Sequence, residues 1–289
     1  MSSKILEILN NNLEIKNTFP SFIELNNIHY EVKVGSVSYG ITKETSDNDI
    51  LAITIPKAED IFPFISGYLF GFGSPHNYFT TFQKHHINYN QNSYDISIYS
   101  IVKYFELCMH NNPNMIDSLF VPDNCIITIS KIGEMIKKER RKFLSKECYG
   151  KFKSYSYSQF FKMRNKKRES KERQSNIDKF GYDTKFAYHC VRLILELEFI
   201  LKYHDLVLNS NVKFLTDIRN GEYTIKELED WFISKETEVD QLYQNCKLPN
   251  RSNYKEIKDL LLNCLEEHFG NISRFYPKGI TYIYSLIGD

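Results

Sequence analysis

The sequence lacks the features that would place the protein in a membrane or in an oxidising compartment. No run approaches the roughly 20 apolar residues that a membrane-spanning helix needs, and the N-terminus has no signal-peptide core. The six cysteines are widely spaced and form no Cys-x-x-Cys pair, which predicts reduced, mostly buried thiols. These absences predict a cytoplasmic protein with no membrane partner.

An excess of charge of one sign is also absent. The 37 Lys and Arg residues nearly balance the 36 Asp and Glu residues, which leaves a formal net charge of +1. Any argument for a nucleic-acid partner must therefore be local. The chain has 289 residues, 42% of them hydrophobic, and so can form one large domain or two modest ones. Periodicity predicts strands over 28–34, 49–55 and 93–100, and helices over 3–16, 101–110, 127–144, 224–245 and 253–269.

The most informative stretch is GSVSYGITKETSDNDI, which begins at Gly35. Gly35 and Ser36 follow an extended apolar run, as expected of a turn that follows a strand. A glycine lets a phosphate approach the backbone closely, and a hydroxyl with consecutive N–H groups can hold its oxygens. An ordinary Gly-Ser turn is the alternative.

Two carboxylates close this stretch. Asp47 and Asp49 precede a buried apolar run, and alternation along a strand points them to the same side. Two like charges about 4 Å apart repel by roughly 4 kcal/mol at an effective dielectric near 20. A divalent cation such as Mg²⁺ would relieve that repulsion; the alternative is a solvated turn that leads into the strand.

A third carboxylate lies on the predicted strand SYDISIYS. Asp95 lies between Tyr94 and Ile96 on this strand, and a third carboxylate at the same metal cluster can polarise an attacking hydroxyl. The alternative is an edge-strand aspartate on the wet face. His85 and His86 come shortly before it, and adjacent strand residues face opposite ways, so we expect no joint chelation by them.

The second informative stretch is GYDTKFAYHCVRL, which begins at residue 181. Tyr182, Lys185, His189 and Arg192 recur at offsets of 3, 4 and 3, so the pattern predicts one stripe of a helix. Arginine and lysine on one stripe suit a triphosphate or a nucleic-acid backbone. A surface stripe with Glu196 as an ion-pair partner is the alternative.

A basic run, KMRNKKRESKERQ over 162–174, follows a tyrosine-rich segment at 149–161. It holds seven cations and two glutamates, which suits contact with a phosphate backbone, or else a solvated flexible loop. Asp117 is predicted to be a charge near the start of a helix. Arg219 is interpreted either as a phosphate contact or as part of a structural ion pair.

The two informative stretches together resemble motifs of the predicted, RNA-repair-associated nucleotidyltransferases, a branch of the DNA polymerase β superfamily. That branch opens with GSxxYGxxxxxSDxDI, and the resemblance covers roughly residues 30–230. It implies an α+β fold with a polymerase-β-type nucleotidyltransferase core, a small mixed sheet with helices, over 1–125. A mainly helical C-terminal domain over 126–289 would complete the substrate cleft.

The resemblance also implies the chemistry. A nucleoside monophosphate would move from an NTP to an acceptor hydroxyl on RNA, either tRNA or damaged RNA, with release of pyrophosphate. The implied catalytic residues and ligands for Mg²⁺ or Mn²⁺ are Asp47, Asp49 and Asp95. The implied nucleotide- and phosphate-binding residues are Gly35, Ser36, Ser46, Tyr182, Lys185, His189 and Arg192. The alternatives are protein nucleotidylation of the AMPylation type and a non-catalytic nucleotide- or RNA-binding module.

Overall fold

The computed structural model describes residues 3–12, 25–43, 47–69, 72–73, 78–164 and 171–275. Within these ranges five strands form one sheet: β1 Ile28–Lys33, β2 Asn48–Thr54, β3 Thr81–Tyr89, β4 Asn92–Ser100 and β5 Ile126–Ile129. The three predicted strands agree with β1, β2 and β4 to within one residue at each end. Their β-branched and aromatic side chains explain the agreement, because such residues favour the extended backbone.

The sheet is mixed, with the strand order β3-β4-β2-β1-β5. β2 and β4 run parallel, whereas the other neighbouring pairs are antiparallel. Because parallel strands start at the same edge of a sheet, the N-terminal ends of β2 and β4 lie side by side. Residues at those two strand starts are therefore neighbours in space, although they are far apart in the chain.

Helices make up most of the remaining described structure. Those described are α1 Lys4–Asn10, α2 Ala58–Ile61, α3 Ile101–Met109, α4 Pro113–Leu119, α5 Lys131–Lys138, α6 Glu147–Arg164, α7 Lys171–Phe180, α8 Thr184–Tyr203, α9 Val212–Arg219, α10 Ile225–Asn245 and α11 Tyr254–Phe269. The predictions for α10 and α11 are confirmed at both ends. α10 starts with a capping box, in which Thr224 and Glu227 each accept a hydrogen bond from the other's backbone N–H.

One predicted helix, over 127–144, is wrong. Residues Ile126–Ile129 form β5, which pairs with β1, and the helix that follows is only Lys131–Lys138. The β-branched run favours a strand, and Ser130 then caps α5 by accepting a hydrogen bond from the Gly133 N–H. The predicted domain boundary after residue 125 would consequently separate β5 from the rest of its sheet.

Each face of the sheet is covered by a different part of the chain. On one face, Val32, Leu51 and Ile53 belong to a large core that also contains Leu193 and Leu197 of α8. On the other face, a smaller cluster joins the sheet to α1 through Ile5, Ile8 and Leu9. Both predicted domains contribute to the large core, and this packing holds α8 beside the edge where β2 and β4 begin.

The cysteine prediction is confirmed, since all six cysteines are buried and free. Burial raises the pKa of Cys190 to about 12, which keeps this thiol protonated and chemically inert. Among the described helices, none combines the length and the apolar character needed to cross a membrane.

Candidate active site

The turn after β1 brings the backbone directly against a carboxylate. Gly35 adopts a φ of +71°, a conformation that favours glycine, and opens a short 3₁₀ turn over Gly35–Val37. A Cβ atom on Gly35 would lie 2.4 Å from Oδ2 of Asp49. The neighbouring Val34 N–H donates to the Asp49 carbonyl at 3.0 Å. Position 35 therefore accepts only glycine without displacing the Asp49 side chain.

The predicted carboxylates meet at the starts of the two parallel strands. Asp49 of β2 is the direct register partner of Asp95 of β4, so both side chains lie on the same face of the sheet. Asp47 lies just before β2 and lines the same cleft as the other two. We call Asp47, Asp49 and Asp95 the carboxylate cluster.

The charge of Asp49 is poorly compensated by its surroundings. Burial and, to a smaller extent, the nearby charge of Asp95 together raise the pKa of Asp49 to about 6. Lys185 opposes this effect from across the cleft, as does His85. A positive charge placed between the carboxylates would stabilise the ionised form of Asp49.

Asp95 is held by two histidines, contrary to the expectation that adjacent strand residues face opposite ways. The β3–β4 register shifts between Lys84 and Ile87, and His86 there has a φ of +57°. This bulge lets the His85 ring donate to Asp95 Oδ2 at 2.9 Å and the His86 N–H donate to Oδ1 at 2.8 Å. Burial raises the pKa of Asp95, but these hydrogen bonds lower it by more, so the net pKa is below its usual value.

A cleft of about 360 Å³ separates the carboxylate cluster from a wall of basic side chains. This wall consists of Lys185 from the first turn of α8, Arg173 from α7, Arg219 from the end of α9 and Lys43. Gly35 and Ser36 line the cleft from the β1 side. An acidic side faces a basic side across one solvent-accessible space, which suits a polyphosphate held together with a cation.

His189 lies one turn beyond Lys185 and also lines the cleft. Burial lowers its pKa well below the ordinary value, and the positive charges of Arg192, Lys185, Arg173 and Arg219 lower it further. Its ring lies 4.2 Å, centroid to centroid, from the ring of Tyr188. The imidazole is therefore neutral at pH 7 and offers a hydrogen bond rather than a charge.

The predicted helix stripe divides into two parts in the structure. Lys185 and His189 reach the cleft, but Tyr182 is 1% exposed and donates its hydroxyl to the carbonyl of Tyr223. Arg192 is 2% exposed and lies in the core. The predicted phosphate contacts of Tyr182 and Arg192 are corrected on this ground, because neither side chain faces the cleft. Ser46 lies outside the described residues.

Arg192 belongs to a closed set of buried polar side chains. It donates to Asp117 Oδ2 at 2.5 Å and to both oxygens of Glu196 at 2.7 Å, while Tyr39 donates to Asp117 Oδ2 at 2.7 Å. Asp117, predicted to be a charge near a helix start, is thus a fully buried ion-pair partner. We call Tyr39, Asp117, Arg192 and Glu196 the buried quartet.

Three basic residues of the cleft were not assigned to it from the sequence. Arg173 belongs to the basic run at 162–174, and it pairs with Asp183 at 3.4 Å while lining the cleft. Arg219 was left between two interpretations; it lines the cleft and donates to the carbonyl of Ile41. Lys43 lies at a variable position of the stretch that begins at Gly35. The first two carried a signal in their charged surroundings, whereas Lys43 carried none.

The tyrosine-rich segment at 149–161 supplies side chains that join two helices. Tyr149 and Lys153 of α6 both contact Asp240 of α10, and Tyr157 donates to Glu236. Arg164, at the end of α6, pairs with Glu229. These contacts join α6 to α10, so these aromatic and basic groups are engaged within the protein.

Within the described ranges, no group of three or more His, Cys, Asp or Glu side chains already has the geometry to hold a metal ion. The carboxylate cluster therefore shares one cleft without forming a closed cage. Magnesium often binds in this way, through one or two carboxylates with substrate phosphates and water as its other ligands.

The fold and the site together define a class: an α+β protein with a polymerase-β-type nucleotidyltransferase core, followed by a mostly helical C-terminal part. The chain belongs to the RNA repair pathway DNA polymerase beta family (RlaP), whose model matches residues 1–263. This match confirms the resemblance predicted from the two motifs, and it covers both of them.

The comparison with solved structures gives a match of low identity. The chain is similar to a nucleotidyltransferase-like protein from Exiguobacterium sibiricum 255-15, at 11% identity and a TM-score of 0.29. The match covers 98% of this chain and 79% of that one. No curated protein matches the chain.

Proposed function

We propose that the protein is a metal-dependent nucleotidyltransferase that moves a nucleoside monophosphate from an NTP to an acceptor hydroxyl on RNA. The pairing of Asp49 with Asp95, across a cleft from Lys185, is the observation that carries the proposal. Carboxylates select a hard cation, and the basic wall suits the phosphates that such a cation bridges. RNA is the acceptor that the family's repair pathway supports.

Asp47, Asp49 and Asp95 would hold Mg²⁺ or Mn²⁺. These residues fit such an ion because they offer hard oxygen donors and because burial leaves the charge of Asp49 poorly compensated. A bound ion would neutralise phosphate charge and lower the pKa of the acceptor hydroxyl.

The side chains of the basic wall would bind the triphosphate. Arg173 and Arg219 can each hold phosphate oxygens in a bidentate manner, while Lys185 supplies a compact charge nearest the carboxylate cluster. Gly35 has no side chain to keep a phosphate from the backbone, and the Ser36 hydroxyl is available to donate to it. Together these groups would orient the α-phosphorus toward Asp95.

The reaction would be an in-line displacement. The acceptor oxygen attacks the α-phosphorus, the bond from that phosphorus to the bridging oxygen breaks, and pyrophosphate leaves with the electron pair. Asp95, kept ionised by its two histidine contacts, would accept a hydrogen bond from the attacking hydroxyl and orient it. The hydroxyl proton passes to solvent. Rate enhancement would come from positioning and charge neutralisation.

The experiment that tests this function follows the nucleotide itself. The protein is incubated with α-labelled ATP, GTP, CTP or UTP, with Mg²⁺ or Mn²⁺, and with total cell extract. The Asp47→Ala/Asp49→Ala double variant serves as the blank. Label is then followed separately into RNA and into protein.

Label in RNA that the blank loses supports the proposal and identifies the nucleotide. Label in protein instead would replace RNA with a protein acceptor. No label in either fraction would count against an RNA acceptor and leave a small-molecule acceptor or a non-catalytic nucleotide-binding module.

A further inference from the structure

Tyr39 is the member of the buried quartet that lies on a loop and carries no charge. Tyr39 lies four residues after Gly35, on the loop that begins with the cleft-lining Gly35-Ser36 turn. Its hydroxyl donates to Asp117 at 2.7 Å, and the Arg192 guanidinium lies 4.3 Å from the centroid of its ring. The other three residues of the quartet thus contact the loop through the Tyr39 side chain, which is 4% exposed.

The loop between residues 35 and 41 is short and internally bonded, so a hold on one residue is transmitted to the rest. Its backbone hydrogen bonds are Ser38 N–H to Gly35 O at 3.0 Å, Gly40 N–H to Val37 O at 3.1 Å and Ile41 N–H to Ser36 O at 3.0 Å. Arg219 supplies a second hold by donating to the Ile41 carbonyl. Helices α8 and α9 thereby fix a loop whose other end faces the carboxylate cluster.

Stability alone does not account for the quartet. A buried ion pair is often no more stable than well-packed apolar residues of the same volume. This set places two carboxylates beside one arginine, and Asp117 Oδ1 and Arg192 Nε are buried without a hydrogen-bond partner among the described residues. A gain in stability is therefore not a sufficient reason for this set.

We propose that the buried quartet is a positioning device: through Tyr39 it fixes the loop at 35–41, and so holds the Gly35-Ser36 turn against Asp49. Tyr39 and Arg192 are positioning residues, because they touch the loop and not the cleft. The catalytic consequence rests on the proposed function, whereas the positioning itself is measurable in the protein without nucleotide.

The test compares two conservative variants of the full chain. Tyr39→Phe removes the hydroxyl that links the loop to Asp117. Tyr30→Phe is the matched control, because Tyr30 is 1% exposed and donates its hydroxyl to the carbonyl of Ser118, the residue next to Asp117. Both changes remove one buried phenol hydrogen bond to the same helix, but only one of them touches the loop.

Amide hydrogen exchange is the readout. In Tyr39→Phe we expect the amides of residues 38, 40 and 41 to exchange roughly tenfold faster, the effect of losing one net hydrogen bond. The amides of β2 should be unchanged in both variants, and the loop amides unchanged in Tyr30→Phe. Loop exchange within about twofold of wild type in Tyr39→Phe, less than a lost hydrogen bond gives, would overturn the inference. An equal increase across β2 would do so too, since it would indicate a purely structural role.

Titration of the same proteins with Mg²⁺ and each of ATP, GTP, CTP and UTP separates this inference from the proposed function. With nucleotide binding intact in wild type, Tyr39→Phe should bind about tenfold more weakly, in proportion to the freed loop, and Tyr30→Phe should bind as wild type does. A wild-type protein that binds none of the four nucleotides would count against the proposed function, while the exchange rates still decide the positioning role.

Discussion

The carboxylate cluster and the buried quartet are both built on acidic side chains, but only the quartet contains its own counter-charge. In the quartet, Arg192 contacts both carboxylates and is almost fully buried. In the cluster, Asp49 is half-buried beside Asp95 and opens onto the cleft. A buried charge costs several kcal/mol unless it is paired. The quartet is therefore completed by the fold, whereas under the proposed function the cluster would be completed by a cation that arrives with substrate.

The largest expected effect concerns the carboxylate cluster. Asp49→Asn keeps the shape of the side chain and removes its charge, so we expect nucleotide transfer to fall by about 10³-fold. Without metal or nucleotide, the free energy of unfolding should stay unchanged or rise, because repulsion from Asp95 disappears. Label transfer and urea unfolding measure the two effects.

Asp123→Asn provides the control for that change. Asp123 is a highly exposed aspartate whose partner is Lys137, away from the cleft lining. Its loss should leave transfer at the wild-type rate. If Asp49→Asn retained transfer, Asp49 would not be a ligand of the proposed metal site.

Removing the counter-charge of the buried quartet should lower the free energy of unfolding, unlike the change at Asp49. Arg192→Met leaves Asp117 and Glu196 buried without a counter-charge, and we expect the free energy of unfolding to fall by about 3–4 kcal/mol. Urea unfolding of the full chain measures this loss. A variant that unfolds at the wild-type midpoint but binds nucleotide weakly would mean that Arg192 binds nucleotide in the cleft.

The two regions also differ in how far the sequence predicted them. Asp47 and Asp49 were placed on the same side from period-two alternation, which is a local property of strands, whereas Asp95 was chosen from the family resemblance. In the same way, helical spacing predicted that Lys185 and Arg192 lie on one face of a helix. The helical spacing could not predict which of the two side chains is buried. Lys185 lies at the first turn of α8, beside the cleft, while Arg192 lies two turns further along, beneath Tyr39. Burial depends on which segment packs across the helix, and no spacing records that.

Other parts of the site depended on departures from regular geometry. The bulge at His86 brings both histidines to Asp95, and a strict period of two excludes that arrangement. The basic wall gathers Arg173 and Arg219 from helices that are far apart in the chain. The α+β class was predictable from pattern and resemblance, whereas the content of the basic wall required the three-dimensional packing.

Gly35 allows a sharper test of how tightly the open cluster is built. Gly35→Ala should lose about 1–2 kcal/mol of unfolding free energy through its positive φ. Transfer should fall by about 100-fold, because the new Cβ displaces the Asp49 carboxylate and misplacement near 1 Å has an effect of that size. Unfolding midpoints and transfer rates are compared in the same preparations.

Gly67→Ala is the matched control for the backbone cost. Gly67 has a φ of +81°, and a Cβ there meets nothing within 4 Å. It should show a similar loss of stability with transfer unchanged. Equal transfer in the two alanine variants would show that the contact between Gly35 and Asp49 has no catalytic consequence.

The smallest expected effect concerns the basic wall that faces the open cluster. Lys185→Met removes one exposed cation and should weaken Mg²⁺-nucleotide binding by about tenfold, the contribution of one charged hydrogen bond. Lys202→Met, an exposed lysine at the far end of the same helix, should leave binding unchanged. Direct titration at two salt concentrations measures both, and the difference between the variants should shrink at higher salt as screening increases. Equal affinities would mean that Lys185 does not bind the phosphates and that the other side chains of the basic wall, Arg173, Arg219 and Lys43, hold them.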